Sequence, residues 1–291
     1  MTAPNAPHRR PGDGPWSAVE QAVPHRRRSI LRRAVVLAAL AWLIMVGAAA
    51  LAAPLLAPAD PLAADPSRVL LPPGSGHLLG SDALGRDVLS RLLWGGRWTL
   101  QMGVLALTLA VGVGLPVGLA AGSLGGWTDA LLMRLVDGLL AFPGLLLALA
   151  VVAVLGRGLA AVAVAVGLAA APAYARVTRS VALEVRGRPY IEAARATGAG
   201  PWRIAMRHVL PNAAPSLVAF AVTQLGWVLL NGAALNFLGL GAPPGTPEWG
   251  ALLAEGRGYL RDAPWASTFP GLALTLTVLA ANLLGDGLQE R

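Results

Sequence analysis

Six stretches of the chain are nearly free of charge and approach the ~20 apolar residues that cross a bilayer's hydrocarbon layer. They lie at 34–57, from about 98 to 121, at 139–155, at 159–175, within 214–240 and within 263–285. Together they predict an all-α membrane protein with six transmembrane helices. The fourth stretch is short and rich in Ala and Val. A cleaved signal peptide does not fit the start, because the first apolar run begins late and is too long.

The polar intervals divide the chain further. Residues 1–33 read as a basic, disordered tail beside anionic headgroups, with five Pro before Arg26. Residues 58–97 follow the first span and hold a predicted amphipathic helix at 84–97. On a helical wheel, Leu84, Val88, Leu89, Leu92 and Leu93 share one half, while Arg86, Asp87, Ser90, Arg91 and Arg97 share the other. This pattern suits either a helix lying in the membrane interface or one packed by its apolar face on the spans. Residues 98–288 form a core of five helices, interrupted by a polar loop at 176–213.

Charge placement orients the chain. Arg residues cluster before the first span and again between the fourth and fifth, and an even number of crossings separates the clusters. Both termini and the 176–213 loop are then cytoplasmic by the positive-inside rule. Composition agrees with a membrane setting: 55% of the 291 residues are hydrophobic and 13% charged, against about 25% charged in soluble domains. Basic balance alone could signal nucleic acid, but the Arg clusters flank apolar spans, so no nucleic-acid partner is expected and membrane lipid is. No Cys is present, which excludes disulfides and thiolate metal sites. No Lys is present either, so the chain cannot carry a consensus phosphate-binding loop.

Within the polar loop, "EAARATGAG" (192–200) predicts a short helix that Pro189 opens and Gly198 stops. Pro201 opens a second helix toward Leu210, and Pro211 and Pro215 mark entry into the fifth span. Such short helices need packing to persist, either on the chain itself or on a cytoplasmic partner. Arg134 and Asp137, three apart at the cytoplasmic end of the third span, suit a structural ion pair. Gly114, Gly118 and Gly122 form a small-residue ridge able to seat a neighbouring helix. His77, Asp82 and Asp87 lack dedicated metal-site spacing and suit capping and turn chemistry. Trp98 and Trp265 suit interfacial anchors. Asp286 lacks the first Gly of an intramembrane protease signature, Leu283 standing in its place.

Glu192-Ala193-Ala194, then Gly198 after three intervening residues, and then His208, Leu210 and Pro211 resemble the EAA motif of the membrane subunits of binding-protein-dependent ABC importers. "RHVLPN" (207–212) is similar to the dipeptide/oligopeptide/nickel branch. So are "LLGSDALGRDVLSRLLWGGRWTL" (78–100), "AGSLGGWTDALLMRLVDGLLAFPGLLLAL" (121–149), "FLGLGAPPGTPEWGALLAEGR" (237–257) and "APWASTFPGLALTLTVLAANLLGDGL" (263–288). The ordered blocks favour the C-type permease of that branch. Two positions depart from the family's usual run, Gly232 and Asn236 replacing an acidic residue and a Ser, and the sequence ends at Arg291 before the family's frequent "DxLDPR" stretch.

The resemblance implies a type I ABC importer transmembrane fold in a bacterial inner membrane, with the EAA loop as a coupling helix. It implies no catalytic residue and no cofactor on this chain, with ATP and Mg²⁺ on one or two cytoplasmic ATPase subunits. It also implies a second, B-type permease as heterodimer partner and an extracytoplasmic solute-binding protein. The expected cargo is di- or oligopeptide, with nickel, glutathione or another small solute as alternatives. A membrane enzyme would need signatures that are missing, such as H-E-x-x-H. A non-transporting scaffold that docks an ATPase is the remaining class.

Overall fold

The computed structural model describes residues 25–74 and 76–289, with side chains from Arg32 onward. Most of the basic tail therefore lies outside the described residues, and the part from His25 is helical. The spans are α1 (His25–Leu51), α2 (Val88–Leu124), a bent pair α3 (Gly126–Leu140) and α4 (Gly144–Leu155), α5 (Leu159–Arg186), α7 (Pro201–Phe237) and α9 (Trp265–Gln289). Shorter helices include α6 (Pro189–Ala196) in the polar loop and α8 (Trp249–Gly256) between α7 and α9. No strand occurs among the described residues.

The third predicted span is not one straight helix. α3 and α4 meet at 91°, and the break falls at Phe142-Pro143. Proline disfavours helical geometry at the residue before it, and Pro143 itself is extended at ψ 127° as the cap of α4. The apolar run is continuous, so hydropathy alone could not reveal the turn.

The most extensive contact in the bundle is α2 against α5. Glycine makes it possible. A Cβ on Gly114, Gly118 or Gly122 would sit 2.7 Å from the Ala171 carbonyl, 2.3 Å from that of Ala175 and 2.7 Å from the Ala182 methyl. The predicted ridge does seat a helix, and backbones approach closely as small residues permit. The core beside it is built from Ala106, Ala110, Ala163, Ala165 and Ala169 with Val162, Val166, Val228 and Leu235. The departure at Gly232 belongs to the same packing: a Cβ there would lie 2.2 Å from the Met102 side chain. Asn236 is buried and holds the turn after α7, accepting from the Ala242 amide at 2.7 Å and donating to the Gly232 carbonyl at 3.0 Å.

The segment 84–97 is not a separate amphipathic helix. From Val88 it is the first part of α2, capped by Asp87, which accepts from the Ser90 amide at 2.7 Å. Most of its polar half is buried along with Val88, while Leu89, Leu92 and Leu93 are half-buried. Arg86, Asp87, Ser90 and Arg91 are buried, while Leu84 is exposed. Arg86 binds Asp82 and Glu255 at 2.7 Å each, and Arg91 pairs with both carboxylates and donates to the Gly245 carbonyl at 3.2 Å. The partner at Glu255 is too far along the chain for local periodicity to register. Burial pushes the Asp82 carboxyl up, but Arg91, Arg86 and the Leu84 and Arg86 amides outweigh it and hold it below the usual carboxylate range. His77 and Asp87 also meet, at 2.8 Å, and Asp82 closes the turn to Leu84 at 2.8 Å. The capping reading of these acids holds.

α8 is pinned across this end of the bundle. Trp249 lies against Gly95 and Gly96, and its indole donates to the Leu92 carbonyl at 2.9 Å. Glu248, fully buried, caps α8 through the Ala251 amide at 3.0 Å and accepts from the Thr99 hydroxyl at 2.8 Å. Burial pushes Glu248 up to about 7, against the hydrogen bonds from Thr99 and the Ala251 and Gly250 amides. Its raised folded-state value means that its stabilisation is complete below the ordinary carboxylate range and lost as pH rises through about 7. A shift of that size corresponds to ~3 kcal/mol. Thermal denaturation in detergent should therefore show the melting temperature falling between pH 5 and 8, and Glu248→Gln should flatten that slope. A parallel slope in the variant would refute the assignment.

Candidate functional site

The polar loop lies at the opposite end of α2 from Thr99. α6 begins at Pro189, whose missing amide hydrogen is no loss in a first turn. Its end is closed by two hydrogen bonds: the Gly198 amide donates to the Arg195 carbonyl at 2.9 Å, and the Ala199 amide to the Ala194 carbonyl at 3.0 Å. This is a Schellman closure, which places a left-handed residue just past the helix. Gly198 occupies that position at φ +85°. A Cβ there would meet nothing within 4 Å, so backbone conformation, not space, demands glycine.

Pro201 then opens α7, which differs from the predicted second helix ending near Leu210 ahead of the span. The chain continues as one helix through Pro211 and Pro215 into the span. A π turn at Ala205–Val209 makes this possible, the Leu210 amide donating to the Ala205 carbonyl. Proline lacks a donor and crowds the preceding turn; a wider turn just before Pro211 accommodates both effects. The Asn212 side chain supplies a further donor, 2.6 Å from the His208 carbonyl.

The motif residues are brought together only in part. Ala193, Ala194 and His208 line one open groove of about 660 Å³ with Tyr190, Thr197, Ala199, Arg203 and Arg207. Glu192 and Gly198 are exposed on the same loop but do not line it. Leu210 is half-buried and packs inward, and Pro211 is exposed on α7. The groove has a small-residue floor and a basic wall, so it can admit a protruding element of another protein.

Beneath it lies a residue that sequence reasoning missed. Ile191 is fully buried, packed with Leu119 of α2, Ala182 and Val185 of α5, and Ile204, Ala205 and Val209 of α7. The available signal was its isolation: Ile191 is the only large aliphatic residue between Arg186 and Pro201.

The predicted Arg134–Asp137 pair is corrected. Asp137 pairs with Arg176 on α5, and Asp129 takes Arg179 in a two-pronged contact at 2.5 and 2.6 Å. The 91° bend swings α3 against α5, so its acids face Arg residues of another helix rather than of their own. Arg186 donates to the Gly122 carbonyl at 3.2 Å, tying the same end of α5 to α2.

Known proteins match this arrangement. The family described as "Binding-protein-dependent transport system inner membrane component" matches residues 114–291. A protein of Pectobacterium atrosepticum named glutathione transport system permease protein GsiD is 45% identical over 264 residues, 90% of this chain and 88% of that one. An Escherichia coli protein of the same name is 45% identical over 218 residues, 75% of this chain and 72% of that one. Among solved structures, a chain of the inward-facing MetNI methionine ABC transporter superposes with a TM-score of 0.58 at 25% identity, covering 69% of this chain and 95% of that one. Subunits of this kind work with a second permease subunit, an ATPase and a binding protein. The chain belongs to the inner-membrane components of binding-protein-dependent transport systems, as a multi-pass, C-type permease subunit of an ABC importer whose ATPase is a separate subunit.

Proposed function

We propose that this permease carries small peptides inward, with glutathione, itself a tripeptide, as the leading cargo. The observation that carries this reading is the 45% identity, over nine-tenths of the chain, to a relative named a glutathione permease. Ordinary di- and oligopeptides are the second reading, since the branch-specific blocks cover both.

The chain pairs with a B-type permease and docks one or two ATPase subunits, which hold ATP and Mg²⁺. A solute-binding protein loads the complex from outside. Both termini face the cytoplasm, an assignment supported by Arg placement. The groove over Ala193, Ala194 and His208 is the ATPase contact, with Glu192 and Gly198 shaping its loop. Binding and hydrolysis of ATP displace α6. Because Ile191 of α6 shares a buried cluster with residues of α2, α5 and α7, the displacement becomes a rearrangement of the spans, and access alternates between the two faces.

The test is uptake by proteoliposomes holding both permeases, the ATPase and the binding protein. Tritiated glutathione should accumulate only with ATP inside the ATPase-accessible compartment, and excess unlabelled glutathione should compete better than dialanine or nickel. Preferential competition by dialanine would move the assignment to dipeptides. ATPase binding without uptake of any of these solutes would favour a scaffold.

A further inference from the structure

The attachment of α6 to the rest of the protein is unusually narrow. Pro189, Tyr190, Glu192, Ala193, Arg195 and Ala196 are exposed and Ala194 is half-buried; Ile191 is the helix's one buried residue. At its start α6 is joined to α5 through the two-residue link Gly187-Arg188, and its far end is the Schellman closure at Gly198. Ile191 is therefore the one side chain of the helix that the bundle fully encloses.

That side chain belongs to one buried cluster with residues of three spans. Its socket combines the ends of α2 and α5 with the first turns of α7, including both ends of the π turn, Ala205 and Val209. Isoleucine in a helix is held near a single χ1 rotamer. Close-packed interiors are poorly compressible and pass strain on, whereas a gap of 0.5–1 Å already forfeits much of the contact attraction. A stiff, fully enclosed plug thus moves its socket when the helix moves, and a shortened one does not.

We infer that Ile191 is the positioning residue through which displacement of α6 drives α5 and α7. This rests on the reading of α6 as the ATPase contact and adds the route from that contact into the spans. Ile191 does not line the groove, so it acts through its buried neighbours.

The experiment uses the full complex. The chain has no cysteine, so Leu183→Cys on α5 and Ala196→Cys on α6, both exposed, take spin labels only at those positions of this subunit. With Ile191 present, the inter-label distance is a single narrow population, both without nucleotide and when trapped with ATP and vanadate. With Ile191→Ala the distance broadens, ATP hydrolysis continues, and uptake per ATP falls at least ~10-fold, a loss expected when a coupling contact is uncoupled rather than weakened. Ile191→Leu, which refills the socket, restores a narrow distance and most of the coupling. Ile191→Val, lacking one methyl group, falls between.

A narrow distance and unchanged uptake per ATP in Ile191→Ala overturn the inference. So does a loss confined to the amount of assembled complex, with normal coupling in what assembles, because that is a purely structural role. Failure of the cargo reading appears separately, as absent glutathione uptake by the unmodified complex; the distances then decide the matter together with ATPase stimulation by loaded binding protein.

Discussion

Gly198→Pro should abolish uptake while leaving the permease in the membrane. The position requires φ near +85°, and proline fixes φ near −65°. The substitution also removes the amide that donates to the Arg195 carbonyl at 2.9 Å. Proline in such a setting costs ~3 kcal/mol, which corresponds to a more than ~100-fold depopulation of the native loop. The damage stays local, because a side chain at Gly198 projects into open space; melting of the transmembrane bundle should be nearly unchanged. Gly198→Ala is the calibrating variant. It keeps the amide and meets no neighbour, so it bears only the ~1 kcal/mol of left-handed backbone strain and should retain substantial uptake. ATP-dependent uptake at wild-type rate in Gly198→Pro would remove the loop from the coupling path.

What the sequence disclosed and what it concealed follow the range of the forces involved. The long spans were legible because membrane insertion is decided locally, by runs such as 34–57. The helix-stop at Gly198 was legible because a left-handed cap is a property of one residue and its immediate neighbours. The ridge at Gly114, Gly118 and Gly122 was visible as spacing, though its partner on α5 was not. The failures are cases where a distant partner reverses a local rule. Arg86 and Arg91 read as a solvated face because periodicity cannot register Glu255, and their pairing turns the polar side inward. Asp137 read as the mate of Arg134 until the bend at Pro143 brought Arg176 to it. Pro211 and Pro215 read as the entry into the fifth span, yet the helix runs unbroken from Pro201 across a π turn at Ala205–Val209. Ile191 carries the same lesson at the candidate site: its burial depends on a cluster drawn from three helices, one of which supplies Leu119 from far along the chain.

The charge cluster at the other end of the bundle gives the largest expected loss of stability. Asp82, Arg86, Arg91 and Glu255 sum to zero, and Arg91 sits between both carboxylates with about 1% of its surface exposed. Arg91→Met keeps much of the volume but leaves two acids sharing Arg86. Removing one partner from a buried ion network typically costs 3–5 kcal/mol, enough to lower the melting temperature of the purified protein by several degrees and to reduce accumulation in the membrane. The origin of the loss can be isolated by charge arithmetic. Arg91→Met combined with Glu255→Gln returns the cluster to neutrality around the Asp82–Arg86 pair, and should recover a large part of the stability. Arg91→Met combined with Arg86→Met leaves both acids without a cation in the cluster and should be worse than either single change. If the neutral double variant is no more stable than Arg91→Met alone, uncompensated charge is not the cause. The contribution of Arg91 would then lie in its packing and its hydrogen bond to the Gly245 carbonyl, and α8 would be held chiefly by Trp249 and Glu248.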